Sequence, residues 1–438
     1  MKKVSLVIMA LLSVFSLQAE EVNGSSQLFD GVVSGKLKAM HILSDKTNTF
    51  TPEDGSGYLG TLKYVTPELI DGLKLGAGLY VNGDTGLTDW DSGKKNALGM
   101  FVAEKGEHTA LLGEAYLDYH SDMFSAKVGR QILNTPLTTI QWSLMPNFYE
   151  AAVLSTKSIS DLSFTLAHIN RMSYGSRAAT DWGLIGEKTK TAGVSRPMST
   201  QSPAGIEQAN FMNLGDAAVG VKTDGITAFN MLFKGIENMT LNIWDYYAYD
   251  IANMIYLDTG YTLPVQKDLK LTLNAQYLNQ TNVGDDLAEE LNYNMWGAKA
   301  KFGNKKYAAY IAYNRSNDND TGGAFINPWG ADPAYTSSLF SRNAYRQDVS
   351  AYKIGGHVTI MKGLKLMASY ADYGRSKTIG WTNATATDDA MEADIILVYK
   401  PTSAWMFKIF NAIRTSEYNT DDVERKMNHV RAIASFTF

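Results

Sequence analysis

The chain is built from short runs in which apolar and polar residues alternate one by one, and these runs recur from one end to the other. Leu269 to Gln280 puts Leu269, Leu271, Leu273, Ala275 and Tyr277 on one face and Lys270, Thr272, Asn274 and Gln276 on the other. Leu73, Leu75, Ala77, Leu79 and Val81 stand opposite Lys74, Gly76, Gly78 and Tyr80 in the same way, and Leu364, Leu366, Ala368 and Tyr370 opposite Lys365, Met367 and Ser369. A period of two means a strand with two unlike faces. The phrases themselves repeat: DGLKLGAGLY from Asp71, KDLKLTLNAQY from Lys267 and KGLKLMASYADY from Lys362, with looser versions from Ser160 and Asn238. Each follows another strand-like run across a few polar residues, so tight hairpins recur. Between hairpins lie long segments rich in Gly, Asn, Asp, Ser and Thr, at 82–111, 172–225, 314–348 and 374–390. A soluble sandwich has no reason to alternate short and long connections; a barrel with one end in the periplasm and one outside does.

The rest of the chain fits a barrel made for export. Lys2 and Lys3, the apolar run Val4 to Leu17, and Gln18-Ala19 before Glu20 read as a secretory signal over residues 1–19, leaving 20–438 as one barrel domain. The mature part has no cysteine, so no disulfide holds it, and no apolar run of about 18 residues, so no helix spans a bilayer. A net charge of −5 offers no basic stripe for nucleic acid. One opening strand near Val33 to Ile42, eight hairpins and a closing strand Asn428 to Phe438 give about 18 strands. The hairpins turn near Pro67, Asp122, Ser160, Ile236, Val265, Asn304, Lys362 and Thr402. The expected fold is all-β, a transmembrane antiparallel β-barrel in the outer membrane of a Gram-negative bacterium, with lipid against its wall. In the closing strand Val430, Ala432, Ala434, Phe436 and Phe438 share the apolar face. A terminal phenylalanine in register with such a strand suits recognition by the outer-membrane assembly machinery, so Phe436 and Phe438 are the candidate assembly residues.

One connection differs from the others. Val128 to Leu154, VGRQILNTPLTTIQWSLMPNFYEAAVL, breaks at Asn134-Thr135-Pro136 and again at Pro146, where proline excludes a helix or a central strand. Yet it carries Ile140, Trp142, Leu144, Met145, Phe148 and Tyr149. So many large apolar groups imply a loop folded inward, with Trp142 and Phe148 as anchors.

The residues Gly129-Arg130-Gln131, Asn134-Thr135-Pro136-Leu137, Met145-Pro146-Asn147, Glu150-Ala151 and Asn170-Arg171-Met172 resemble the OprD-type specific porins of the outer membrane. These motifs cover about fifty residues, and the strand count extends the likeness over the mature chain. The resemblance implies barrels of about 18 strands whose third external loop narrows the lumen. It makes Arg130, Gln131, Asn134, Pro136, Trp142, Pro146 and Phe148 the constriction set. Where the family carries an acid and an arginine near the middle of this loop, the chain has Ile140-Gln141-Trp142-Ser143, a less charged constriction.

With the apolar faces outward, the inward set includes Lys36, Lys38, Lys127, Lys299, Lys301, Lys353, Arg375, Lys408, Arg414 and Arg431. Inward acids are fewer: Glu114, Asp118, Asp258, Glu392 and Asp394. Such a basic ladder can hand a carboxylate or another anion from one charge to the next, or it can be a merely solvated wall. Family members take up small carboxylate-bearing nutrients such as amino acids, which favours passive diffusion of small hydrophilic solutes along the ladder.

No cofactor or catalytic chemistry is expected. Asn317 to Gly323 has the composition of a calcium loop but lacks the glutamate an EF-hand needs, and the six histidines show no metal spacing. No GxSxG or phosphate loop occurs. The rival functions are a barrel enzyme of lipase or protease type and a non-transporting receptor or adhesin. The oligomeric state, monomer or trimer, is left open by these features.

Overall fold

The computed structural model describes residues 30–47, 52–91, 94–96, 106, 108–138, 144–156, 159–175, 210–288, 290–317, 325–330, 332–341, 346–376, 387–418 and 423–438. Met1 to Ala19, and Trp142 with its neighbours Thr139 to Ser143, lie outside them. One sheet contains twenty segments, of which two, Lys95–Asn96 and Met212–Asn213, are two-residue pieces. The other eighteen make the wall. They are β1 Val32–Lys46, β2 Glu53–Val65, β3 Leu73–Asp84, β4 His108–His120, β5 Phe124–Gln131 and β6 Phe148–Thr156. Then follow β7 Leu162–Ser173, β8 Ile226–Phe233, β9 Met239–Ala248, β10 Ala252–Pro264, β11 Lys270–Thr281 and β12 Asn292–Gly303. The last six are β13 Tyr307–Ser316, β14 Ser350–Met361, β15 Leu364–Tyr373, β16 Thr387–Tyr399, β17 Trp405–Tyr418 and β18 Arg425–Thr437.

Each strand pairs antiparallel with the next, and β18 returns to β1 with Lys36 opposite Thr437 and Lys46 opposite Met427. Closure is what lets strands live in lipid, because an open edge would leave a row of backbone N–H and C=O groups without water. The register settles the faces. Leu37, Leu117, Ile255, Trp296, Ile354, Ile395 and Ile409 point outward and are all exposed, as lipid-facing groups must be. Trp296, Tyr313 and Tyr352 cluster at the outer end and Trp405, Phe407 and Phe436 at the inner end, with ring centroids 4.9–5.6 Å apart. These are the interfacial girdles of a membrane barrel.

All eight short turns fall where the sequence puts them, from 66–72 between β2 and β3 to 400–404 between β16 and β17. Strand ends move outward, β1 reaching Lys46 and β18 starting at Arg425. Not every outer connection is long: Tyr249 to Ile251, at the outer end, joins β9 to β10 in three residues, as short as the inner turns 121–123 and 304–306, with Asp250 at φ 60°.

Candidate functional site

A barrel of this strand number leaves an aqueous channel unless something enters it. The third outer connection, 132–147, does. Its start is locked locally: Thr138 donates its hydroxyl to the Leu133 carbonyl at 2.9 Å and accepts from the Thr135 amide at 3.0 Å, a turn built around Pro136. Leu133 and Leu137 then pack into an apolar cluster with inward residues of β7 to β12, among them Ile169, Tyr246, Met254 and Tyr293. Leu144 and Met145, at the other end, belong to a second cluster with Met40, Leu59, Tyr80, Phe410 and Ile433 of β1 to β3, β17 and β18. The two ends are therefore fixed to opposite walls, and the loop crosses the lumen. Phe148 is fully buried, edge-on to Tyr80 at 4.5 Å. Gly113 is what admits it, since a Cβ there would meet the Phe148 ring at 2.5 Å.

A second connection enters as well, although its sequence is that of an ordinary long outer loop. Residues 317–349 join β13 to β14, and Phe325, Ile326 and Trp329 within them are at most 2% exposed. Wall side chains hold it at successive points. Gln280 bonds the backbone of Ile326 in both directions, at 2.8 and 2.9 Å. Gln276 accepts from the Tyr335 amide at 2.9 Å, and Asn314 from Thr336 at 3.0 Å. Lys353 donates to the Ser337 carbonyl at 2.7 Å, and Tyr335 donates to Asp258. The two loops meet at Leu137: Asn327 donates to its carbonyl at 2.9 Å, and a Cβ on Gly330 would sit 1.6 Å from the same oxygen. Tyr149 ties them again, donating to the Trp329 carbonyl.

A closed eighteen-stranded barrel crossed by two inward loops is the geometry, and residues 121–438 match the family described as outer membrane porin, OprD family. The chain belongs to that family. No curated protein matches the sequence. Among solved structures, this porin is similar to Pseudomonas aeruginosa OccK9 (OpdG), at 13% identity and TM-score 0.74, over 94% of this chain and 100% of that one. Pseudomonas aeruginosa OpdK with vanillate matches at 13% identity and TM-score 0.71, over 94% and 100%. Pseudomonas aeruginosa OccK2 (OpdF) in complex with glucuronate matches at 12% and 0.68, over 94% and 99%. At these identities the structures speak for the fold alone. Family and fold make this porin a diffusion channel of the outer membrane rather than a barrel enzyme, and no group of acids and histidines among the described residues is arranged for a metal.

Within this OprD-family porin several inward cations are engaged by protein groups. Lys353 supports the second loop, Arg414 donates to the Ser341 hydroxyl at 2.9 Å, and Lys127 pairs with Asp118 at 3.3 Å. Lys299 lies over the Tyr310 ring at 4.7 Å and within reach of Asp258. Lys301, opposite Tyr310 and Thr272, continues that side. Arg375 stands just beyond β15 and is exposed. On the other wall Lys408 lies within electrostatic reach of Lys38, Arg431, Lys36 and Lys400. Lys36 also feels Lys63. Three adjacent strands, β17, β18 and β1, thus gather one positive field.

Of the constriction residues, Gln131 is buried and donates to the Ala151 carbonyl at 3.0 Å, while Pro136 and Asn134 form the locked turn. Pro146 precedes Asn147, which is buried and bonds Gly175 and Trp329. Arg130 is placed differently: it pairs with Glu150 at 3.0 Å, next to Arg171 on the same carboxylate at 3.2 Å, and lies 4.3 Å from the Phe211 ring. Three family-motif residues from β5, β6 and β7 thereby meet in one ion cluster. The residues of the second loop went unread in the sequence, although Phe325, Pro328, Trp329, Pro333 and Tyr335 repeat the proline-and-aromatic mixture of the first.

Proposed function

We propose that this porin gives passive diffusion to small hydrophilic solutes bearing a carboxylate, such as amino acids or organic acids, which move along the cationic wall of Lys36, Lys38, Lys408 and Arg431. The supporting observation is that wall: Lys36, Lys38, Lys408 and Arg431 are neighbouring inward cations on three adjacent strands. Such a field concentrates anions, and arginine adds a two-pronged contact for a carboxylate. Of the similar porins, OpdK was solved with vanillate and OccK2 (OpdF) in complex with glucuronate, both carboxylates, which agrees with the reading. In the same reading, residues 1–19 direct export and the assembly machinery inserts the barrel.

The test is the reversal potential of single channels in a salt gradient. Wild type is expected to prefer anions, less so as salt rises and screens the wall. Changing Lys36, Lys38, Lys408 and Arg431 together to glutamine is expected to move the reversal potential toward cations. An unchanged potential would mean the wall is only hydrated surface.

A further inference from the structure

The lumen-facing acids have a use of their own. Glu392, on the inward face of β16 opposite Ala371 and Arg414, is 1% exposed, although it faces the inside of a barrel wide enough for water. Its two oxygens are filled by the second inward loop: one accepts from the Phe340 amide at 2.9 Å, the other from the Ser341 amide at 2.6 Å. Asp394, two residues along the same face, takes the preceding amide, Leu339, at 3.4 Å. Three successive backbone N–H groups therefore converge on one pair of carboxylates, the geometry of a peptide anion nest. Neighbouring side chains close the ring around the same segment. Tyr373 donates to the Thr336 carbonyl at 2.6 Å, Lys353 to Ser337, and Arg414 to the Ser341 hydroxyl.

This fastening differs in kind from that of the first loop, which is held by apolar clusters at both ends. Residues 336–341 read Thr-Ser-Ser-Leu-Phe-Ser, and only Leu339 and Phe340 offer apolar surface. Phe340 projects toward the cationic wall, with its ring 4.4 Å from that of His429, which in turn contacts Arg431 at 3.4 Å. The segment that Glu392 holds is thus the one that borders the positive wall. We infer that Glu392 is a positioning residue that sets the width of the passage, by latching residues 339–341 of the second loop to β16. It touches no solute; it acts through the loop, whichever solute passes, so the inference stands apart from the carboxylate reading.

The experiment uses the full-length channel in planar bilayers. Glu392→Gln and Glu392→Ala barrels, checked for heat-modifiable migration, are expected to show conductance raised by at least about half, with added open-channel noise, because glutamine leaves one of the two amides without its acceptor and alanine leaves both. A second variant guards against misfolding and separates latching from general stability. The chain has no cysteine, so Glu392→Cys with Ser341→Cys introduces a single disulfide in place of the hydrogen-bonded latch. Oxidised, that channel is expected to conduct like wild type; a reductant added during recording should switch it to the higher, noisier state. Wild-type conductance in assembled Glu392→Gln and Glu392→Ala channels, or no change on reduction of the disulfide form, would overturn the inference.

Discussion

Single residues in this lumen act mainly by what they hold, and Tyr335 illustrates the point. Its hydroxyl donates to Asp258, and burial, followed by that carboxylate, pushes its ionisation well above the ordinary tyrosine range. The contact is therefore present at neutral pH and is lost only as pH rises through the raised value. Wild-type conductance and noise are expected to stay level up to about pH 10, where a free tyrosine begins to ionise. Tyr335→Phe is expected to be noisier at every pH, since the loop then lacks its tie to β10. A step near pH 10 in wild type, abolished by Tyr335→Phe, would show instead an ordinary titrating tyrosine. At this scale the sequence disclosed direction but not partnership. Alternation puts Lys353, Arg414, Glu392 and Asp394 on the polar faces of their strands, and in the structure the second inward loop bonds all four. It could not show that a loop would cover them, because the covering residues lie up to 73 positions away. For the same reason Arg130, Glu150 and Arg171 were visible as separate motif residues, while their ion cluster needed the pairing of β5, β6 and β7.

Elements were easier to read than their contacts. A strand in lipid has to alternate and a tight turn has to be polar, so all eight inner turns were legible, and the connection 249–251 escaped only because a tight turn looks alike at either end of a barrel. Loops carry no such period. The third outer loop was recognised by its prolines and aromatics, and the seventh carries the same signal diluted by serines and asparagines. The first loop's fastening predicts what its loss would do. Deleting Thr138 to Leu144 removes the hydroxyl bond to Leu133, the carbonyl that accepts from Tyr149, and the apolar grip of Leu144. No wall pairing is touched, so the barrel should assemble. With one of two crossing loops gone from a channel of this strand number, single-channel conductance is expected to rise at least about twofold. A correctly assembled deletion with unchanged conductance would place the narrowing entirely in the second loop.

For the whole molecule, one seam decides whether there is a channel at all. The chain's first and last wall strands are its only neighbours joined by no loop, and their register runs from Lys36–Thr437 to Lys46–Met427. At the inner end Gly35 and Phe438 exchange backbone bonds at 2.9 and 3.1 Å, and Thr437 donates to Ala404 at 2.9 Å. Phe436 packs on Trp405 at 4.9 Å within the inner girdle. Where the seam continues into the hydrocarbon, each backbone group left unpaired costs several kcal/mol, since lipid offers no substitute partner. Deleting Phe436 to Phe438 is therefore expected to leave misassembled protein in the periplasm, read as loss of the heat-modifiable band from outer-membrane fractions. Truncation removes both the seam and the terminal residue that the assembly machinery would recognise, so a second variant separates them. A Cβ on Gly35 would lie 2.2 Å from the Phe438 ring and 2.6 Å from the Thr61 carbonyl of β2, so Gly35→Val strains β1 against both neighbours, the seam included, while leaving the terminus intact. Reduced assembly of Gly35→Val assigns the defect to closure. Normal assembly of Gly35→Val beside failure of the truncation would assign it to recognition of the end, and normal levels of both would mean that the barrel closes without its last three residues.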